Sequence, residues 1–138
     1  MAKRKVLFLC TGNSCRSQMA EGLLRHRTGD RFEVVSAGTH PAGLNPDAVA
    51  AMGEIGIDIS RHRSKLVDEF AGQYFDYAIT VCDRARESCP FLPNAACVLH
   101  WSFDDPAAAE GPAAARRAVF RRVRDEIAAA IRQFVEGQ

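Results

Sequence analysis

One stretch near the N-terminus constrains the fold more than any other part of the chain. An apolar run, Val6–Leu9, ends abruptly at Cys10, a loop of small and turn-forming residues follows, and a helical pattern begins at Gln18. A short apolar run bounded by a turn is typical of a buried strand, and the periodic residues after the loop indicate a helix. The sequence therefore predicts a strand, a tight loop and a helix start in immediate succession.

The residue types in this loop favour an anion site with a nucleophile at its base. Backbone N–H groups at a helix N-terminus lack partners within the helix and attract anions, and Gly12 and Asn13 tolerate the positive φ that curls such groups around an oxyanion. Arg16 adds a planar, charged fork. The positive field favours the thiolate form of Cys10, and Ser17 is expected to donate to its sulfur besides capping the helix. The alternative is a buried structural cysteine. The predicted oxyanion-binding residues are Thr11, Gly12, Asn13, Ser14, Cys15 and Arg16.

Length and composition restrict the class of protein. The 138 residues predict a single domain, residues 1–138, and a formal net charge of +1 favours neither nucleic acid nor an anionic membrane as partner. No apolar span is long enough to cross a bilayer, and a monomer is expected. Five cysteines without a secretory signal indicate reduced thiols and a cytoplasmic location. Scattered histidines and the lack of a Cys-x2-Cys pair argue against a zinc site.

The remaining pattern alternates strands and helices. Strands are predicted over Lys5–Cys10, Phe32–Ala37, Phe75–Val81 and Ala96–Trp101, and helices over Gln18–Arg27, Pro46–Ile55, part of Ser60–Phe70 and Ala113–Val135. This alternation predicts an α/β three-layer sandwich, with a parallel sheet and helices on both faces. Because ligands bind at the carboxyl ends of such strands, Cys10, Cys82 and the pair Asp104–Asp105 should gather at one edge.

The loop sequence Cys10–Ser17 resembles the phosphate-binding loop of low-molecular-weight protein tyrosine phosphatases and of the arsenate reductases built on the same fold. The resemblance implies a four-stranded parallel sheet with strand order 2-1-3-4. Both chemistries need Cys10 as nucleophile, Arg16 to hold the oxyanion, and an acid that protonates the leaving oxygen. Asp105, in an Asp-Pro pair like the family's acid, is the candidate for that acid, and the adjacent Asp104 is the alternative.

The stretch Thr80–Pro90 distinguishes the two activities. A phosphatase needs one cysteine because water cleaves its phosphoenzyme, whereas reduction of arsenate requires two electrons, which thiols supply by forming a disulfide; a third cysteine carries that disulfide to the surface. The three thiols Cys10, Cys82 and Cys89 fit this requirement and match the positions used in thioredoxin-coupled arsenate reductases. The similarity extends to His100–Pro106 and Arg122–Ile127, and alanines at 107–109 stand where the phosphatases typically carry tyrosines.

The resemblance implies that the chain reduces arsenate to arsenite in arsenic detoxification, through a relay of three thiols. Cys10 attacks arsenic, Cys82 then attacks Cys10 and releases arsenite, and Cys89 moves the disulfide to Cys82–Cys89, which thioredoxin reduces. Phosphate and sulfate are expected to compete with arsenate. The alternatives are a phosphatase with a Cys10 phosphoenzyme, and a non-catalytic anion or redox sensor; a glutathione- or mycothiol-linked reductant also remains open.

Two further expectations concern the thiols. Cys15 and Cys97 are expected to be packing residues, although Cys15 is close enough to Cys10 for a protective disulfide. The segment 83–88 is predicted to be helical when reduced and to loop out when oxidised, because helical Cα atoms at positions 82 and 89 would lie about 10 Å apart, too far for a disulfide.

No cofactor is expected to be bound, apart from the question of a monovalent cation. Family members that bind such a cation near the loop use residues matching Asn13, Glu21 and Ser36, all of which are present, together with an acidic residue from the region around Lys65. The lysine at that position argues against potassium dependence, while Asp68 and Glu69 nearby keep a cation site open.

Overall fold

A computed structural model describes residues 3–82 and 94–138 of the chain. In these residues the strands are β1 (Arg4–Cys10), β2 (Phe32–Gly38), β3 (Phe75–Thr80) and β4 (Ala95–His100), and the α-helices are α1 (Arg16–Thr28), α2 (Pro46–Gly53) and α3 (Ala113–Glu136). Two 3₁₀ helices cover Val67–Phe70 and Pro106–Ala108. None of the described helices is both long enough and apolar enough to span a membrane.

The four strands form one parallel sheet in the order β2-β1-β3-β4, which confirms the predicted topology. β1 lies in the centre, with Cys10 opposite Gly38 of β2 and Leu9 opposite Thr80 of β3. Because the strands run in the same direction, their carboxyl ends meet at one edge of the sheet. The loop that follows Cys10 lies at that edge.

Each face of the sheet buries an apolar cluster. The larger cluster joins Val6 and Phe8 of β1 to apolar side chains of all three α-helices: Met19, Leu23 and Leu24 of α1, Ala48 and Met52 of α2, and Phe120, Val123, Ile127 and Ile131 of α3. On the opposite face, Leu7 and Leu9 pack with Phe75, and in the described residues the 3₁₀ helix Val67–Phe70 covers them. The three layers of the predicted sandwich are therefore present.

Some element ends differ from the sequence prediction for local reasons. α1 begins at Arg16 rather than Gln18, because Cys15 already takes the N-cap position and its carbonyl accepts from Met19 N at 2.9 Å. α2 ends at Gly53 rather than Ile55, where the N–H groups of Ile55 and Ile57 both bond the carbonyl of Met52. The predicted redox-dependent helix at 83–88 lies outside the described residues.

The region 60–70 is helical only over Val67–Phe70. The residues before it run along the edge of the sheet, where Gly38 N donates to Lys65 O at 2.9 Å and Gly38 forms a parallel bridge with Leu66. These backbone groups are used in tertiary hydrogen bonds, so they are not available for a longer helix.

Candidate active site

The loop between β1 and α1 has its carbonyl groups turned outward. Every carbonyl from residue 11 to residue 14 accepts a hydrogen bond of 2.8 to 3.1 Å, and the donors are His40 N, Ala42 N, Ser64 Oγ, Gln18 Nε2 and Asn45 N. In a planar trans peptide the N–H of the next residue points the opposite way from the carbonyl. The N–H groups of residues 12–15 therefore face the concave side of the loop, where an oxyanion would lie.

Asn13 fixes the shape of this loop. Its φ is +47°, and it is the non-glycine residue with a positive φ in the described part of the chain, whereas Gly12 does not use this region. The side chain explains the choice of asparagine: Oδ1 accepts from Lys65 N at 2.8 Å, and Nδ2 donates to Ser17 Oγ at 2.8 Å and to Ser36 Oγ at 2.9 Å. An asparagine tolerates the left-handed region, and here its amide stabilises that conformation from three sides.

Cys10 lies at the base of the loop with its sulfur held by two donors. The side chain is 2% exposed, Asn13 N donates to Sγ at 3.1 Å, and Ser17 Oγ lies 2.8 Å from Sγ. Ser17 Oγ also accepts from Asn13 Nδ2, which leaves its own proton available for donation to the sulfur. Two hydrogen-bonding groups thus converge on the sulfur, and this arrangement suits a nucleophile.

A cavity of about 320 Å³ opens above Cys10. Its lining includes Cys10, Arg16, His40, Ala42, Asp105 and Ala107. Arg16 is 4% exposed; its NH1 donates to Phe103 O at 3.3 Å and its NH2 lies 3.8 Å from Asp105 Oδ2. The guanidinium therefore stands between the loop and the segment that carries the candidate acid.

The two candidate acids point to different partners. Asp104 Oδ2 pairs with Arg122 of α3 at 3.0 Å and is not among the residues that line the cavity. Asp105 does line it, and its Oδ1 accepts from Ala107 N at 3.0 Å at the start of the second 3₁₀ helix. Of the two carboxyl groups, Asp105 is the one placed to reach a bound oxyanion.

The other cysteines have distinct environments. Burial raises the pKa of Cys15 to about 12, so this thiol stays neutral beside Cys10. Cys10, Cys15 and Cys97 are free thiols, and Cys97 is half-buried in β4. Cys82 follows β3, is fully buried and is disulfide-bonded. The predicted third thiol, Cys89, lies outside the described residues.

The residues of the predicted cation site surround a buried carboxylate. Glu21 is 4% exposed; Ser36 Oγ donates to it at 2.6 Å and Arg25 NH2 lies 2.7 Å away. Lys65 Nζ and His62 Nδ1 each lie 3.6 Å from its oxygens. Burial lowers the pKa of both Lys65 and His62, and the charge of Glu21 opposes this shift in each case. Basic side chains thus already surround Glu21.

Several residues that shape the site carried no signal in the sequence. Ser64 and Gln18 anchor the loop carbonyls, and Gly38 packs directly against the loop backbone. Ser64 is 51 and 52 positions from the residues it bonds, so no local pattern connects them. A serine or glutamine of this kind looks like any other surface polar residue in a sequence.

With this geometry established, comparison with known proteins identifies the family. The chain belongs to the low molecular weight phosphotyrosine protein phosphatase family, whose model matches residues 5–137. An arsenate reductase of Shouchella clausii (strain KSM-K16) is 52% identical over 136 residues, which cover 99% of this chain and 98% of the relative. The resemblance noted from the loop sequence is thereby confirmed.

The fold of the chain is also similar to solved structures of arsenate reductases. A structure of an arsenate reductase in the phosphate-binding state aligns with a TM-score of 0.84 at 30% identity, covering 97% of this chain and 98% of the other. A thioredoxin-dependent arsenate reductase of Corynebacterium glutamicum aligns with a TM-score of 0.74 at 29% identity, covering 98% of this chain and 61% of the other.

Proposed function

We propose that this chain reduces arsenate to arsenite and that Cys10 is its nucleophile. The observation that carries the proposal is the pair of donors on the Cys10 sulfur, Asn13 N at 3.1 Å and Ser17 Oγ at 2.8 Å, at the base of a loop whose N–H groups face inward. The 52% identity to an arsenate reductase over nearly the whole chain supports arsenate rather than a phosphoester as the substrate.

In the first step the loop N–H groups and Arg16 hold arsenate, and the Cys10 thiolate attacks arsenic. A sulfur–arsenic bond forms and the bond from arsenic to one of its hydroxyl groups breaks; Asp105 gives its proton to the departing hydroxyl, which leaves as water. The N–H groups and Arg16 stabilise the charge on the remaining oxygens. The position of Asp105 in the cavity lining, 3.8 Å from Arg16, supports this role.

In the second step the Cys82 thiolate attacks the Cys10 sulfur. A Cys10–Cys82 disulfide forms, the sulfur–arsenic bond breaks, and its electron pair stays on arsenic, which leaves as arsenite. The sheet supports this step: Leu9 lies opposite Thr80, so the register continued beyond the strands brings Cys82 to the level of Thr11, one residue past Cys10. Cys82 is fully buried and is disulfide-bonded in this structure; the attacking thiolate is its reduced form.

In the third step Cys89 attacks the Cys82 sulfur, which frees Cys10 and leaves a Cys82–Cys89 disulfide for an external dithiol. Thioredoxin is the proposed reductant, because a similar structure is that of a thioredoxin-dependent arsenate reductase. A cycle that returns to reduced thiols requires a reducing compartment, so we propose that the protein is located in the cytoplasm. We also propose that it acts as a monomer.

A low-molecular-weight phosphatase is the second candidate, because Cys10, Arg16 and Asp105 would serve a phosphoester equally well. The cavity walls argue against an aromatic substrate, since Ala42 and Ala107 line the cavity and no Phe, Tyr or Trp is among the described residues that line it. Phosphate and sulfate would occupy the same loop and compete with arsenate.

The test is NADPH oxidation in the presence of thioredoxin and thioredoxin reductase, started by arsenate, for the wild type and Cys89→Ser. Sustained oxidation by the wild type and at most one turnover by the variant would support the three-thiol relay; Cys97→Ser is the matched control and should turn over normally. Hydrolysis of p-nitrophenyl phosphate without arsenate-dependent oxidation would favour the phosphatase. Neither activity would indicate a sensor that only binds the anion.

For the cation we propose that the Lys65 ammonium takes the place of potassium. Lys65 Nζ lies 3.6 Å from Glu21 Oε1 and the side chain is 11% exposed, while Glu69 is engaged by Arg63 at 2.5 Å. Turnover should be equal in potassium and N-methylglucamine salts, and potassium activation should appear in Lys65→Asp but not in the exposed control Lys3→Asp. Strong potassium activation of the wild type would contradict the proposal.

A further inference from the structure

The mouth of the cavity carries a basic side chain that the proposed chemistry does not use. His40 lines the cavity together with Cys10, Arg16 and Asp105, and its side chain is exposed. Arg16, by contrast, is buried at the inner wall. Besides the arginine, His40 is the basic group among the described residues of the lining.

The backbone of His40 is fixed against the loop. β2 ends at Gly38, and the chain then runs along the loop, so that His40 N donates to Thr11 O and Ala42 N donates to Gly12 O, each at 2.9 Å. Pro41 between them has a restricted φ. The imidazole therefore starts from a defined position beside the oxyanion cradle, even though the ring itself reaches solvent.

The other charged groups of the cavity lining leave it without a net positive charge, which the imidazole of His40 could supply. In the reactive state Cys10 is negative, Arg16 is positive and Asp105 must be protonated to act as an acid, while burial keeps Cys15 neutral. These four groups sum to zero, and arsenate adds negative charge. A protonated His40 makes the lining positive, which would draw an oxyanion towards the loop.

We infer that His40 is a substrate-binding residue that holds a tetrahedral oxyanion at the mouth of the cavity through an imidazole N–H. Its Nδ1 lies 3.1 Å from Thr39 Oγ1, so the Nε2–H is the donor left for an outer oxygen of the anion. The inference deepens the proposed function, because it rests on the loop binding arsenate. His40 would thus bind the oxyanion at the entrance of the cavity, while Cys10 reacts with it in the interior.

Phosphate binding measures this role without requiring turnover. Isothermal titration of inorganic phosphate into the reduced full-length chain would compare the wild type with His40→Ala and His40→Lys. His26→Ala is the matched control, because it removes an exposed histidine of α1 that is not in the cavity lining. We expect phosphate to bind His40→Ala about fivefold more weakly, as for loss of a partly exposed charge pair. His40→Lys should bind within about twofold of the wild type, and His26→Ala should equal it.

Steady-state kinetics with arsenate provide the second readout. The Michaelis constant of His40→Ala for arsenate should rise about fivefold while kcat stays within about twofold, because the ring contacts the anion before the chemical step. Wild-type phosphate affinity in His40→Ala, an equal loss in His26→Ala, or no recovery in His40→Lys would each overturn the inference. If the wild type binds phosphate but reduces no arsenate, the proposed function fails while the role of His40 is still decided by the titration.

Discussion

Gly38 is the residue at which the smallest chemical change should disturb the nucleophile most. It is the last residue of β2, directly opposite Cys10. A Cβ added at this position would lie 2.5 Å from Thr11 O and 3.0 Å from both Asn13 N and Cys10 O. All three are backbone atoms of the loop, so no side chain can rotate away to relieve the contact.

The expected magnitude follows from the size of this overlap. The shortest contact is about 0.9 Å inside ordinary van der Waals separation, so in Gly38→Ala the loop must move by a large fraction of an ångström. Overpacking of this kind costs about 1–3 kcal/mol of unfolding free energy. A displacement of about 1 Å at reacting groups costs on the order of 100-fold in rate, because the sulfur, the N–H groups and the acid lose their alignment.

Gly38→Ala should therefore lower kcat for arsenate about 100-fold, measured by NADPH oxidation coupled to thioredoxin, and urea denaturation should show the smaller loss of stability. Gly53→Ala is the matched control. Gly53 ends α2, a Cβ there would meet nothing within 4 Å, and its φ is not positive. That variant should keep wild-type activity with equal or slightly greater stability. A Gly38→Ala protein with kcat within twofold of the wild type would refute the reasoning.

Three further predictions concern the candidate acid, the buried carboxylate of Glu21 and the ion pair of Glu54. Asp105→Asn should lower the single-turnover rate of arsenite release about 100-fold or more, whereas Asp104→Asn should stay within about threefold; equal losses would show that the position in the cavity does not select the acid. Ser36→Ala removes a hydrogen bond to the buried Glu21 carboxylate and should lower the unfolding free energy in urea by about 2 kcal/mol, and a change below about 0.5 kcal/mol would contradict this. The hydrogen bond from Arg121 lowers the pKa of Glu54 from 4.5 to about 2. The wild type should therefore be more stable than Glu54→Gln at pH 7, and it should lose this advantage as the pH falls from about 4.5 to 2. A stability difference that does not change with pH would contradict the assignment.

The fold could be predicted because its signals are local. Apolar runs of strand length alternate with amphipathic segments, Asn45 and Pro46 mark the start of α2, and the loop after Cys10 fixes the first crossover. Strand boundaries agreed to within one residue at each end, and the order 2-1-3-4 came from the resemblance carried by the loop. The region 60–70 was predicted less well, because its backbone bonds to the loop and to Gly38 rather than to itself.

For the candidate site, the sequence predicted which residue types take part but not how they are oriented. The pattern around Cys10 and Arg16 indicates an anion cradle, but the outward turn of the loop carbonyls depends on donors such as Ser64 and Ala42, which lie far along the chain. The choice between the two adjacent aspartates depended on a single ion pair with α3, which removes Asp104 from the cavity. Contacts between elements that are distant in sequence leave no periodic trace, so these features required coordinates.

The same cradle suits two chemistries, and the sheet order is consistent with the proposed reductase. Both reactions begin with Cys10 joined to the substrate; a phosphatase then needs water at the adduct, whereas a reductase needs a second sulfur. Because β3 lies directly beside β1, the register of the two strands brings Cys82 to the level of the loop after Cys10, and Cys82 is fully buried and is not among the residues that line the cavity. In the proposed reductase mechanism, the reduced Cys82 would therefore attack Cys10 from the protein interior rather than from the cavity. Such an attack would leave the oxygens of arsenic in the cradle, and arsenite would depart through the same mouth by which arsenate entered.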